Sequence, residues 1–167
     1  MTDEEIDRIT ETMILPNEGG WSDRKNDRGG PTNRGITLAQ WEIYCRETGN
    51  RALANKESLR TSTKEDSLKF YRWYIRRSGV FEGQFPEECL PQIIDMTVHH
   101  RRWRLIVDDA FDTHLDEYAS FLGLARIRYM AEVVQNDPAQ REHFYGWVLR
   151  ALKAAGWWPR QAPTEEV

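Results

Sequence analysis

Apolar and polar residues alternate with a helical period along almost all of this chain, and one early segment breaks the pattern. Thr2 and Glu5 stand at capping-box spacing ahead of an apolar stripe at Ile6, Ile9, Met13 and Ile14, which predicts a first helix. Pro16 and the pair Gly19-Gly20 predict its end, so Glu18 falls at or just past its C-terminus. Residues 19–36 carry no period and predict a loop or a small irregular hairpin. Thr37 and Gln40 repeat the capping pattern before a helix bearing Leu38, Trp41 and Tyr44. Residues 49–62 are polar and aperiodic and predict a connector. Thr63 and Asp66 open a third helix with Leu68, Phe70, Tyr71, Trp73, Tyr74 and Ile75, stopped near Gly79.

The second half continues in the same manner. Pro86 suits the first turn of a helix reaching Val98 or beyond, and residues 103–130 predict further helix with a break near Gly123. Asp137-Pro138 predicts the N-cap and first position of a last helix through Trp147, Leu149 and Leu152, closed by Gly156. Trp157-Trp158-Pro159 and a polar tail complete the chain. No clear strand pairs, repeats or low-complexity segments stand out, so the expected fold class is mainly α.

Composition narrows the setting. A chain of 167 residues with 40% hydrophobic and 11% aromatic content is long enough for one folded domain with a sizeable core. No apolar run approaches the ~20 residues needed to cross a bilayer. Met1-Thr2-Asp3-Glu4-Glu5 is acidic where a signal peptide is basic, so the expectation is a soluble product of the cytoplasm without stable membrane insertion. A formal charge of −4 gives no global attraction to nucleic acid and argues mildly against binding an anionic cell wall. Cys45 and Cys89 lack CxxC spacing and are expected as free thiols, although sequence alone leaves a disulfide between them open.

The aperiodic segment holds the candidate chemistry. It reads Glu18-Gly19-Gly20-Trp21-Ser22, then Asp27-Arg28-Gly29-Gly30-Pro31-Thr32, then Gly35-Ile36-Thr37. The pairs Gly19-Gly20 and Gly29-Gly30 allow close backbone approach, and two carboxylates with an aromatic beside them are parts a glycosidase needs. Asp, Asn, Gly and Pro are equally ordinary turn residues, so Asp27 also reads as an Asx-turn and Thr32 as a turn-stabilising hydroxyl. A carboxyl group at a helix C-terminus meets the negative end of the dipole, which favours the protonated form that a general acid requires.

In order and spacing, this string resembles the signature of the glycoside hydrolase family 108 N-acetylmuramidases, lysozyme-like enzymes of phages and bacteria that cut peptidoglycan. Phe70-Tyr71-Arg72-Trp73-Tyr74, Ile93-Ile94-Asp95 and Phe144-Tyr145-Gly146-Trp147-Val148-Leu149-Arg150 are weaker echoes of later family segments. The resemblance implies a lysozyme-like helical domain over 1–167, with a catalytic half at 1–80. A helical half at 81–160 is then similar to a divergent peptidoglycan-binding region. It implies Glu18 as the catalytic acid, with Asp27 as second carboxylate and Thr32 holding a water. Trp21, Tyr71 and Tyr74 are the expected substrate-binding residues. No cofactor or metal is expected. The lean is to an inverting reaction, for which the two carboxyl groups stand ~6.5–9.5 Å apart, against ~5–5.5 Å for a retaining one.

Departures from the family pattern lie in the second half, where Thr97-Val98-His99-His100 and Phe111-Asp112-Thr113-His114-Leu115 replace its usual turn and Gly-rich segment. His99, His100, His114 and His143 form no metal-ligand spacing and are expected as packing or exposed residues. Arg101-Arg102-Trp103-Arg104 is a basic patch expected to be a solvated helix face, with peptide-stem carboxylates as an alternative partner. The expected function is hydrolysis of the β-1,4 bond between N-acetylmuramic acid and N-acetylglucosamine. The expected partners are peptidoglycan glycan strands and a holin or other export factor, and the protein is expected to be a monomer. A phage endolysin is the first setting and a wall-remodelling bacterial muramidase the second. The competing expectations are a non-catalytic wall-binding or structural protein and a lytic transglycosylase.

Overall fold

In the computed structural model, which describes residues 1–23, 29–113 and 118–156, the first helix opens with the reciprocal bonds that Thr2 and Glu5 predict. The Thr2 hydroxyl accepts from the Glu5 amide at 3.2 Å, and the Glu5 carboxylate accepts from the Thr2 amide at 2.6 Å. Helix α1 (Asp3–Ile9) then gives way to a π-helical turn at Thr10–Ile14 and a 3₁₀ turn at Leu15–Asn17, in place of one continuous helix. A two-residue strand pair, β1 (Thr32–Asn33) and β2 (Ile36–Thr37), is antiparallel. Helix α2 (Leu38–Glu47) starts from Thr37, whose side chain accepts from the Gln40 amide.

The chain divides into two compact units, Met1–Gly83 and Gln84–Val167. The first is completed by α3 (Lys56–Thr61) and α4 (Lys64–Arg77). Its core brings Ile6, Ile9 and Ile14 together with Leu59, Leu68, Phe70, Tyr71 and Ile75, all buried. Each such side chain contributes about 1.5–3 kcal/mol by leaving water. Arg72 reaches across from α4 with a two-pronged bond to Asp7, at 2.6 and 2.5 Å, and so fixes the rotation of α1 on α4.

The second unit contains α5 (Leu90–His99), α6 (Trp103–Thr113), α7 (Tyr118–Asn136) and α8 (Arg141–Ala154). Ile93, Ile94, Met96, Ile106, Val107, Leu122, Met130 and Ala151 form its core. The fold class is mainly α, and among the described residues no helix is long and apolar enough to cross a membrane.

Three expectations change. Residues 49–62 are not a bare connector: they hold a 3₁₀ turn at Arg51–Leu53 and then α3. The cap there is Asn55, whose side chain accepts from the Ser58 amide at 3.0 Å, a signal carried by one residue without a long apolar stripe. The break expected near Gly123 is absent, because α7 runs through that position. Pro86 and Pro138 introduce 3₁₀ turns, Glu87–Cys89 and Pro138–Gln140, before their α-helices begin.

Candidate active site

The site is built on the hairpin. Asn33 pairs with Ile36, so only Arg34 and Gly35 make the turn, with φ of +48° and +77°. Two residues at positive φ match the twist of a tight hairpin. A left-handed conformation costs a non-glycine residue on the order of 1–2 kcal/mol, and Arg34 is held there from both ends. Its guanidinium donates to the Ser62 carbonyl at 2.7 Å, and its own carbonyl accepts from the Tyr71 hydroxyl at 2.8 Å. Asn33 is buried and donates to the Leu59 carbonyl at 2.9 Å and the Ser62 hydroxyl at 3.1 Å. The hairpin is therefore tied to the C-terminal end of α3 and to the middle of α4.

Glu18 arrives over this turn from the other side. The π-turn and the 3₁₀ turn after α1 end at Glu18, which is extended (φ −102°, ψ 136°), its amide donating to the Leu15 carbonyl at 3.1 Å. Such π-turns recur next to functional sites, where they change the direction of the chain beyond them. This one leaves the wholly buried Thr10 hydroxyl without a hydrogen-bond partner among the described residues. The half-buried Glu18 side chain then lies on the bare face of Gly35. A Cβ at Gly35 would stand 2.7 Å from Glu18 Cδ, 2.7 Å from its Oε2 and 2.7 Å from the Tyr71 hydroxyl oxygen. Only glycine leaves room for both the carboxyl group and the phenol on that face.

The other expected site residues take different positions around this turn. Trp21 is half-buried next to Ser22, whose backbone pairs with Thr32 through reciprocal bonds of 2.8 Å, so Trp21 borders the hairpin. The Thr32 hydroxyl donates to the Gly30 carbonyl at 2.9 Å, a local turn bond that leaves its lone pairs open to an incoming donor. Asp27 lies outside the described residues. Tyr71 is only 1% exposed, so its ring packs in the core and offers no face to a sugar. Tyr74 is half-buried, stacks on Phe70 with ring centres 5.8 Å apart, and has its hydroxyl pushed up by burial. Glu18, Gly35 and Tyr71 are thus brought together, with Thr32 and Trp21 on the neighbouring backbone. Gly35 and Arg34 were not among the expected site residues, although Gly35 stood within the same glycine-rich string.

The second unit buries a cluster of polar groups. Asp95 and Arg126 are almost wholly buried and pair at 2.6 Å. His99 Nε2 lies 3.1 Å from the other Asp95 oxygen, and His99 Nδ1 lies 2.7 Å from an Arg150 nitrogen. Arg126 also donates to His100 Nε2 at 2.9 Å, and the His100 ring meets Tyr129 edge to face. Burial, then the Arg126 and His99 charges, push His100 down to about 3. Burial opposes charge on Asp95, but the His99 bond and the Arg126 guanidinium outweigh it and hold its carboxyl below the usual range. His143 is exposed and lies beside Trp147, and His114 lies outside the described residues. Arg104 covers the Trp103 ring at 4.5 Å, while Arg101 and Arg102 are exposed. Both cysteines are free and buried. Among the described residues, no three His, Cys, Asp or Glu side chains gather as metal ligands.

A small helical unit with a carboxyl group set over a tight hairpin belongs to the lysozyme-like class. The sequence model of the family described as Glycosyl hydrolase 108 matches residues 11–100, more than half of the chain, and this chain belongs to that family. Membership implies a glycoside hydrolase of the N-acetylmuramidase-like, peptidoglycan-degrading kind. The structure of SagA from Brucella abortus is similar in fold, with a TM-score of 0.66 and 18% identity, over 92% of this chain and 93% of that one. No curated protein matches.

Proposed function

We propose that the chain is an N-acetylmuramidase that hydrolyses the β-1,4 bond between N-acetylmuramic acid and N-acetylglucosamine, with Glu18 as general acid. The observation that carries this reading is the Glu18 carboxyl on Gly35, inside the segment that matches the family. Glu18 comes directly after the 3₁₀ turn Leu15–Asn17, and the carbonyl end of a helical segment disfavours a carboxylate, as a proton donor near neutral pH requires. It gives its proton to the glycosidic oxygen as the bond breaks and positive charge develops on the sugar ring. Asp27 is the second carboxylate of this reading. It takes a proton from the attacking water, which the Thr32 hydroxyl helps to hold, and the anomeric configuration inverts. Trp21 and Tyr74 stack on sugar rings, and Tyr71 supports Glu18 from beneath. The 1–80 segment is the catalytic half and 81–160 a helical half divergent from the family.

The setting proposed is a phage endolysin, made in the cytoplasm as a monomer and released to the wall by a holin. A bacterial muramidase acting with another export factor is the second setting. The purified protein incubated with peptidoglycan sacculi should release fragments ending in a reducing N-acetylmuramic acid, read by mass spectrometry. Intact sacculi would count against the reading. Anhydro-muramyl ends would turn it into a lytic transglycosylase, which needs one carboxylate only. Trp21→Ala should raise KM several-fold while leaving the melting temperature in place; a melting change without a kinetic one would return Trp21 to the core.

A further inference from the structure

We infer that the Trp157-Trp158 pair, which follows directly on the last described residue, docks in an apolar groove between α6 and α7 of the second unit. The groove holds about 440 Å³ and is walled by Ala110 of α6 and by Phe121, Leu124, Ala125 and Ile127 of α7. Phe121, Leu124 and Ile127 recur three residues apart and give α7 a second apolar side, besides the one that Leu122 and Met130 bury in the core. Leu124 is 52% exposed, so an occupant that covers it gains by the apolar area removed from water. The charged residues at the groove, Asp109 and Arg128, bond to each other at 3.4 Å, so the occupant it favours is apolar rather than charged.

The chain itself delivers such an occupant. Helices α7 and α8 pack together and are joined only through Asp137 and the turn Pro138–Gln140, which makes them antiparallel neighbours. Their register is fixed by the buried cluster, where Arg126 of α7 bonds to Asp95 and Arg150 of α8 meets His99, itself 3.1 Å from Asp95. From that level the chain runs on six residues to Gly156, about 9 Å at 1.5 Å per residue, while α7 runs back five residues to Phe121. The end of α8 therefore comes beside the first turns of α7, where the groove lies. Gly156 at φ +73° turns the chain out of the helix, its amide donating to the Lys153 carbonyl at 3.1 Å. Trp157 and Trp158 come next, within about 4–8 Å of Gly156 along the backbone, so closing the loop costs little chain entropy. Each indole has roughly 150–250 Å² to bury.

The test uses the full chain with its leucine methyl groups labelled for NMR. The Leu124 methyls should show nuclear Overhauser contacts to an indole ring, and these should vanish when Trp157→Ala and Trp158→Ala are combined. No indole contact in the wild-type chain, or contacts that persist in the double variant, overturn the inference. So do contacts seen only between differently labelled copies in a mixed sample, since the groove then takes a second copy of the chain. Trypsin cleavage after Arg160 gives an independent reading. Leu124→Asp should speed it at least about tenfold by releasing the segment, as loss of one buried leucine contact implies, with the helical circular dichroism unchanged. A cleavage rate that stays the same in this variant overturns docking at Leu124.

Discussion

The two units treat their polar groups in opposite ways. In Met1–Gly83 the Glu18 carboxyl group is half-buried over a two-residue turn. In Gln84–Val167 the carboxylate Asp95 is sealed inside beside Arg126 and His99, and Arg126 in turn donates to His100. A charge sealed and paired contributes to the specificity and cohesion of one packing arrangement, and its geometry leaves no place for a substrate. A carboxyl group at a surface turn contributes little to cohesion and is available for proton transfer. Chemistry is assigned to the first unit on this difference, and the second unit's unusual His99-His100 pair is read as structural.

The comparison breaks most visibly at Arg126. Arg126→Ala leaves Asp95 charged and buried without its guanidinium, which destabilises by about 3–5 kcal/mol. Hydrogen exchange should show α5 and α7 losing protection while α4 in the first unit keeps it. Equal loss in both would mean that the buried pair does not belong to the second unit alone.

A pH titration sharpens the contrast. An unfolded His100 takes a proton near its ordinary value of about 6.5, whereas the folded one stays neutral until about 3. Lowering the pH through that window therefore favours the unfolded state by one proton, and stability of the second unit falls from about pH 6.5 towards 3. The groups facing His100 are Arg126, His99, Asp95 and Arg150, with Tyr129 against its ring. Denaturant midpoints measured against pH should flatten in His100→Gln, whose amide oxygen can still accept from Arg126. An equally steep fall in the variant would place the acid sensitivity elsewhere.

A smaller effect on stability, with a larger one on turnover, is expected at Gly35. Gly49 has nearly the same backbone, φ +81° against +77°, but open space where a Cβ would go. Both Gly→Ala changes should cost about 1 kcal/mol for the left-handed backbone. Gly35→Ala should in addition displace Glu18 and lower kcat at least about tenfold, as a misplaced catalytic group does. Equal activity in the two variants would dissociate the hairpin from catalysis.

Much of the first unit was legible because its signals are local. The Thr63 and Asp66 box, three residues apart, opens α4, and the glycine string from Gly19 to Gly35 marks the loop that holds Glu18. What was hidden depends on distant partners. Asn33 reaches Leu59, 26 residues along the chain, and that bond seats the hairpin on α3. Tyr71 reads as one more aromatic on a helical stripe, and its burial and its bond to Arg34, 37 residues away, separate it from a sugar platform. Asp95 and Arg126 look like ordinary helix-surface charges until α5 and α7 pack, because periodicity tells which face is apolar and not which charges will meet across it. The π-turn at Thr10–Ile14 was hidden for the same reason, since its apolar residues fit an ordinary helical stripe as well.

The central claim is that Glu18 is the proton donor, and the most direct measurement compares release of reducing ends from sacculi by the wild-type chain and by Glu18→Gln. The change is nearly isosteric, so melting temperature and circular dichroism should be unaltered. Turnover should fall by about 10²–10⁴-fold, the contribution of a positioned general acid. Turnover within about threefold of the wild type, from an equally folded variant, would contradict the account.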